Sequence, residues 1–288
     1  MKGAVIVAGY AIRESVRRRV FPVVLVLTAV FLGLYGFGVY KAYQSIDPFS
    51  TQTIGAGGLI DTRVLFSATL FGLSIFAVLF LGTVLAIFLT HAVVRGDAER
   101  GLLQPLVVRP VGRSALLVGR FLGAGAVCVP YVLAVYTACA VITRAAGDWW
   151  PDQFLRPGLQ LAAGVLVIAA LGLLGSIFLS ATANGIAIFM IFGAGLFAGL
   201  LGQIGEALNS DTLQTVAERT SWALPFEALY QDALYRITAE SRGLTGLAIQ
   251  LGPFGGSEAG GPNLPLWTIA YFAVVLAATL AAFARKDL

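Results

Sequence analysis

His91 is the only histidine in the 288 residues, and Cys128 and Cys139 are the only cysteines. A hydrolytic triad needs a histidine held between a nucleophile and an acid, and a zinc site needs several imidazole, thiolate or carboxylate ligands close together. One histidine at the edge of an apolar run supplies neither, so no metal, cofactor or catalytic residue is expected. His91 reads as a helix-end residue near lipid headgroups. The two cysteines share an apolar run and are eleven residues apart. On a helix that is roughly 16 Å, beyond disulfide reach, which leaves them as small packing residues. None of the three lysines, Lys2, Lys41 and Lys286, follows the glycine-rich loop that a nucleotide phosphate requires. Intramembrane proteolysis fails as well, for want of two buried aspartates or of a serine with a histidine inside a helix. The chain is not expected to be an enzyme.

The elements that must position any site are apolar. Of the residues, 58% are hydrophobic and 12% charged, with mean hydropathy +0.86. Soluble domains carry roughly 25% charged residues, so a bilayer is the natural solvent for this chain. Six segments are long enough to cross it: Val20–Tyr40, Phe66–Val94, Ser114–Ile142, Leu159–Ala181, Gly185–Gly205 and Pro265–Ala284. Only Thr182–Asn184 separates the fourth from the fifth, which predicts a tight turn there. The expected fold is all-α, six transmembrane helices preceded by an amphipathic interfacial helix over residues 1–19. The first apolar run is longer than a signal-peptide core and is expected to stay as an uncleaved helix.

Basic residues orient the chain. With both termini cytoplasmic, 12 Lys and Arg fall inside and 7 outside, and all four tryptophans lie near the outer interface. In the first segment Val5, Ala8, Ile12, Val16 and Val20 recur at helical spacing, with Arg13, Arg17 and Arg18 opposite them and Glu14 four residues before Arg18. Residues 206–264 form the longest outer insertion. After Pro225, the residues Phe226, Leu229, Tyr230, Ala233, Leu234 and Ile237 make one apolar face, with Glu227 beside it and an Asp232–Arg236 pair opposite. This pattern predicts a short helix lying on, or dipping into, the outer leaflet, and residues 252–263 then make a flexible lead into the last span. The interiors of the spans hold essentially no ionisable residue, which disfavours ion-coupled transport. Arg120 lies near the cytoplasmic end, where it can snorkel, and Gln160, Gln203 and Asn184 are polar near the ends. Gly119/Gly123 and Gly195/Gly199 are pairs at the spacing that lets helices approach closely.

Between the second and third spans, residues 95–113 mix both charge signs around Pro105 and Pro110, as suits a structured loop docking on a soluble partner. Asp97, Gly101, the run Arg109-Pro110-Val111-Gly112-Arg113 and then Gly119-Arg120 resemble the corresponding loop of type-2 ABC transporter permeases. Leu102 stands where that family usually has threonine, and Pro105 is atypical. Leu224-Pro225-Phe226-Glu227-Ala228-Leu229 and the basic terminus Arg285-Lys286 are also similar to family features. The resemblance implies a permease of the bacterial inner membrane. It would pair with a second permease, as a homo- or heterodimer, and with two copies of a cytoplasmic ATP-binding subunit, surrounded by lipid and with no nucleic-acid partner. It also implies that Asp97, Glu99, Arg100, Gly101, Arg109 and Arg113 couple to the ATPase, framed by Arg13, Arg17 and Arg18. Export of an amphipathic, lipid-like or drug-like molecule is the expected activity. The alternative is a mechanical relay to an extracytoplasmic protein through residues 206–264.

Overall fold

The structure, a computed structural model, describes residues 2–17, 20–44, 51–53, 59–91, 113–237 and 259–285. Six helices have the length and composition to cross a membrane. In chain order the helices are α1 (Lys2–Arg17), α2 (Val20–Gln44), α3 (Thr62–Thr90), α4 (Arg113–Gly147), α5 (Leu155–Phe178), α6 (Ala181–Ala207), α7 (Asp211–Ala223), α8 (Pro225–Ile237) and α9 (Leu264–Ala284). The spans are α2 to α6 and α9. Two three-residue strands, β1 (Thr51–Thr53) and β2 (Leu59–Asp61), pair antiparallel between α2 and α3, with Thr51 opposite Asp61. They are a small addition to the expected all-helical architecture.

Apolar side chains fix the helices as lipid-compatible, and several of the hydroxyls among them are satisfied locally, whereas the buried Thr83 hydroxyl has no partner among the described residues. Thr28, Thr90, Thr143 and Thr279 each donate to the carbonyl four residues back, at 2.7, 2.8, 2.9 and 2.6 Å. For a hydroxyl away from water, its own backbone is the nearest such partner. The expected tight turn is also present, but it begins three residues earlier than the sequence placed it. The break between α5 and α6 falls at Leu179–Ser180, and Thr182–Asn184 belong to the first turns of α6. Polar residues read as a turn there, whereas Asn184 is fully buried and its amide has helix carbonyls to bind.

α3 and α5 form the centre of the bundle. In each, 67% of an 18-residue apolar stretch is buried, against 17% of such a stretch in α2 and 22% in α9. Small residues bring neighbours close: a Cβ on Gly82 of α3 would sit 2.8 Å from Val132 and 2.7 Å from Val165. At one end Phe71 lies 5.5 Å from Tyr136 and 5.8 Å from Trp149, ring centre to ring centre, and Tyr136 donates to the Phe154 carbonyl at 3.0 Å. α2 joins through the hydroxyl pairs Thr28–Tyr131 (2.5 Å) and Tyr35–Thr143 (2.6 Å). Its opposite face, Val23, Val26, Val30, Leu34 and Phe37, is exposed, an apolar stripe suited to hydrocarbon. Cys128 and Cys139 are free and buried in α4, as their packing role requires.

Successive spans alternate in direction. His91, the start of α4 and the α5–α6 break therefore gather at the end where α1 sits, and α7 and α8 occupy the other.

Candidate functional site

At the α1 end, the amphipathic segment is a helix packed along the first turns of α4. Its small face makes this possible. Ala11 is buried, and a Cβ on Gly123 would come within 2.6 Å of the Ala11 methyl and 3.2 Å of the Ala8 carbonyl. Gly123 thus marks a helix contact, one of the two glycine pairs singled out in the sequence. Glu14 reaches Arg120 of α4, Oε2 to Nη1 at 2.7 Å, in a half-buried ion pair. The arginine expected to snorkel therefore binds a carboxylate 106 residues away in sequence. Arg13 is exposed on α1. The side chain of Arg17, and Arg18 altogether, lie outside the described residues, as do Asp97, Glu99, Arg100, Gly101 and Arg109. Arg113 opens α4, its side chain likewise outside them.

At the same end of the bundle, three helices meet. Asn184 donates through Nδ2 to the Gly172 carbonyl of α5 at 2.8 Å and to the His91 carbonyl at 3.2 Å. His91 closes the turn after α3, with its own N–H on the Ile87 carbonyl at 2.8 Å and its ring edge-on to Phe88. It occupies the helix-end position its sequence context predicts.

The other end is built on α8. Its predicted apolar face is real, for Phe226, Leu229, Tyr230, Ala233, Leu234 and Ile237 are all buried. Glu227, Gln231 and Asp232 are buried too, so the polar face is not turned to solvent or headgroups. Two glycines seat the helix: Gly164 of α5 lies 3.5 Å, measured from a Cβ built on it, from the Phe226 carbonyl, and Gly195 of α6 faces the Phe226 ring. Phe192 stacks on that ring at 5.7 Å.

The polar side chains are matched. Asp232 accepts from Arg236 Nε at 2.7 Å, from the Gly260 N–H at 3.0 Å and from the Gln160 amide of α5. Glu227 accepts from Ser221 at 3.0 Å and from Gln231. Gly260 is thereby tied to α8, and Gly261, with φ +67°, takes the left-handed turn into α9 that favours glycine. The end of the expected flexible lead is anchored, while residues 238–258 lie outside the described set. Burial, and then the neighbouring Glu227 charge, push the Tyr230 hydroxyl above the usual tyrosine range, and it finds no hydrogen-bond partner among the described residues.

Beside this network a cleft of about 440 Å³ opens between α6, α7, α8 and the start of α9. Glu206, Glu218 and Glu227 line it, and so do Trp222 and Trp267, whose rings meet edge to face at 5.6 Å. Trp267 Nε1 donates to the Trp222 carbonyl at 3.0 Å.

Sequence reasoning missed the pairing of Glu14 with Arg120, the burial of Asp232, and the roles of Gln160 and Asn184. The available signal was a lone polar residue near the end of a glycine-rich apolar run, which marks a buried partner without naming it. Among the described residues there is no group of three or more metal-ligating side chains.

A profile of the family described as ABC-2 family transporter protein matches residues 5–288. No curated protein matches the sequence.

Proposed function

The chain belongs to the ABC-2 transporter family, as a multi-pass membrane subunit distinct from the ATPase, and from that premise we propose that it is the permease half of an exporter. α1, the end of α3 and the start of α4 face the cytoplasm of a bacterial inner membrane. Two copies of an ATP-binding subunit dock there, on residues 95–113 and the arginine face of α1. A second permease, identical or related, completes the pathway, and the apolar spans favour an amphipathic, lipid-like or drug-like cargo.

The observation that carries this reading is the seating of α1 on α4. An ion pair and a glycine contact fasten an otherwise peripheral helix to the span that begins where residues 95–113 end. A load applied to that segment then meets a braced helix, which is what energy transfer from a separate motor needs. Charge reversal at Glu99 or Arg113 tests it. The expected result is loss of ATPase stimulation in reconstituted complexes with membrane insertion intact, and unchanged stimulation contradicts the docking role.

A second reading has the same motor drive a mechanical relay to an extracytoplasmic protein. It is favoured by the ties that lock α8 and Gly260 to α5, since span motion then reaches residues 206–264. Replacing the exposed Glu218 and Trp222 at the cleft separates the two. The relay reading expects loss of activity with that partner and ATPase stimulation retained, and the export reading expects both preserved.

A further inference from the structure

The last described residue before the segment read as the docking element is His91, and its carbonyl is held by a side chain from a different part of the chain. Asn184 is fully buried, and its single amide nitrogen bridges the end of α3 to α5 while its backbone belongs to α6. The site is shaped for it. On α5, Gly172 and Gly175 lie three residues apart on one face. A Cβ on Gly172 would meet the Thr90 side chain, at 3.3 Å from its Cβ, and one on Gly175 would meet the Asn184 amide, at 3.1 Å from its Cγ. Thr90 and Asn184 thus fill neighbouring notches in the same helix. Thr90 satisfies itself on the Ala86 carbonyl, so the link between the three helices passes through Asn184.

Such a contact differs from apolar packing in one respect. Apolar packing sets how closely helices approach, whereas an amide aimed at two carbonyls in an apolar surround adds a directional tie that also fixes rotation. Asn184 Oδ1 has no hydrogen-bond partner among the described residues. The side chain is therefore held by its donor end alone, and the donor end is the one that spans the helices.

We infer that Asn184 is a positioning residue that makes the end of α3 and the α5–α6 break move as one body. Displacement of residues 92–112 is then delivered to α5 and α6 as well as to α3 and α4. This rests on the reading of residues 95–113 as the docking element for an ATPase. It adds a route to the central span α5 that the loop itself does not touch in sequence, and it assigns a role to Gly172 and Gly175.

The test uses spin labels on cysteines placed at the exposed positions Phe88 and Ile186, in a chain whose buried Cys128 and Cys139 are replaced by alanine. Pulsed electron resonance is recorded in lipid nanodiscs, first for the permease and then for the complex with its ATPase, nucleotide-free and ATP-trapped. The inferred rigid body gives one narrow distance that is the same in every state. Asn184→Leu, and independently Gly175→Ala, which displaces the amide while leaving Asn184 in place, are expected to lose that single narrow distance. Gly36→Ala, whose Cβ would lie an ordinary 3.7 Å from Ile142, is expected to keep it. An unchanged distribution in folded Asn184→Leu and Gly175→Ala proteins overturns the inference, as does a wild-type distance that shifts with nucleotide. A complex without ATP turnover would defeat the permease reading separately, and the comparison of widths in the permease alone would still decide the role of Asn184.

Discussion

α1 and α8 are both short amphipathic helices, and from sequence both belong at a membrane surface. Their fates differ. α1 keeps Ile6, Tyr10 and Arg13 exposed, and its described contacts with the bundle include Ala11 and the Glu14–Arg120 ion pair. α8 is buried on its apolar and polar sides alike. The difference lies in what waits for the polar groups. Asp232 meets Arg236, the Gln160 amide and the Gly260 N–H, and Glu227 meets Ser221 and Gln231. Exposed Arg13, by contrast, stays at the surface of α1. Amphipathicity decides that a helix will seek an interface, and complementary partners decide whether it goes inside.

The comparison breaks most visibly at Asp232. Asp232→Ala leaves the partly buried Arg236 guanidinium and the Gln160 amide without their carboxylate, and removing one partner of such a pair costs about 3–5 kcal/mol. Thermal unfolding in detergent should show a large fall in stability, with Asp232→Asn intermediate because its amide oxygen still accepts from Gly260. A fall no greater than that of a surface substitution would mean that α8 is held by its apolar face alone.

Gly195→Ala comes next. The added methyl drives into the fully buried Phe226 ring, and overpacking of this kind costs about 1–3 kcal/mol. Phe226→Leu in the same chain should restore part of the loss, which the same melting experiment reads.

Gly123→Ala acts on α1, where the answer is different. A Cβ 2.6 Å from the Ala11 methyl must lift the helix, but a peripheral helix can move, so global stability should change by less than about 1 kcal/mol. The expected signature is local: faster hydrogen exchange over residues 6–14 with the bundle unaffected. Protection equal to wild type would show α1 to be as firmly embedded as α8.

Glu14→Gln is the mildest. A part-buried ion pair at the edge of the bundle contributes on the order of 1 kcal/mol, so the melting temperature should move little while exchange over α1 rises modestly and becomes less sensitive to salt.

Much of this architecture is legible in the sequence because hydrophobic runs and helical periodicity are local. The six spans, the apolar face of α8 and the small-residue contacts at Gly123 and Gly195 all follow from spacing within a few turns. The partners of polar residues do not. Glu14 and Arg120, or Gln160 and Asp232, meet only because helices far apart in sequence are set in a particular register, and no local pattern encodes that register. Asn184 shows the cost of reading polarity locally. Its type signals a turn, and its burial against two carbonyls draws it into α6 instead.

Whether a separate nucleotide-hydrolysing subunit drives this membrane chain from the α1 end is decided by purifying the intact assembly and measuring ATP turnover with and without the permease. The expected result is a stable complex whose hydrolysis responds to the permease and loses that response when the charges of residues 95–113 are reversed. A permease that functions fully in vesicles with no ATPase bound would contradict it.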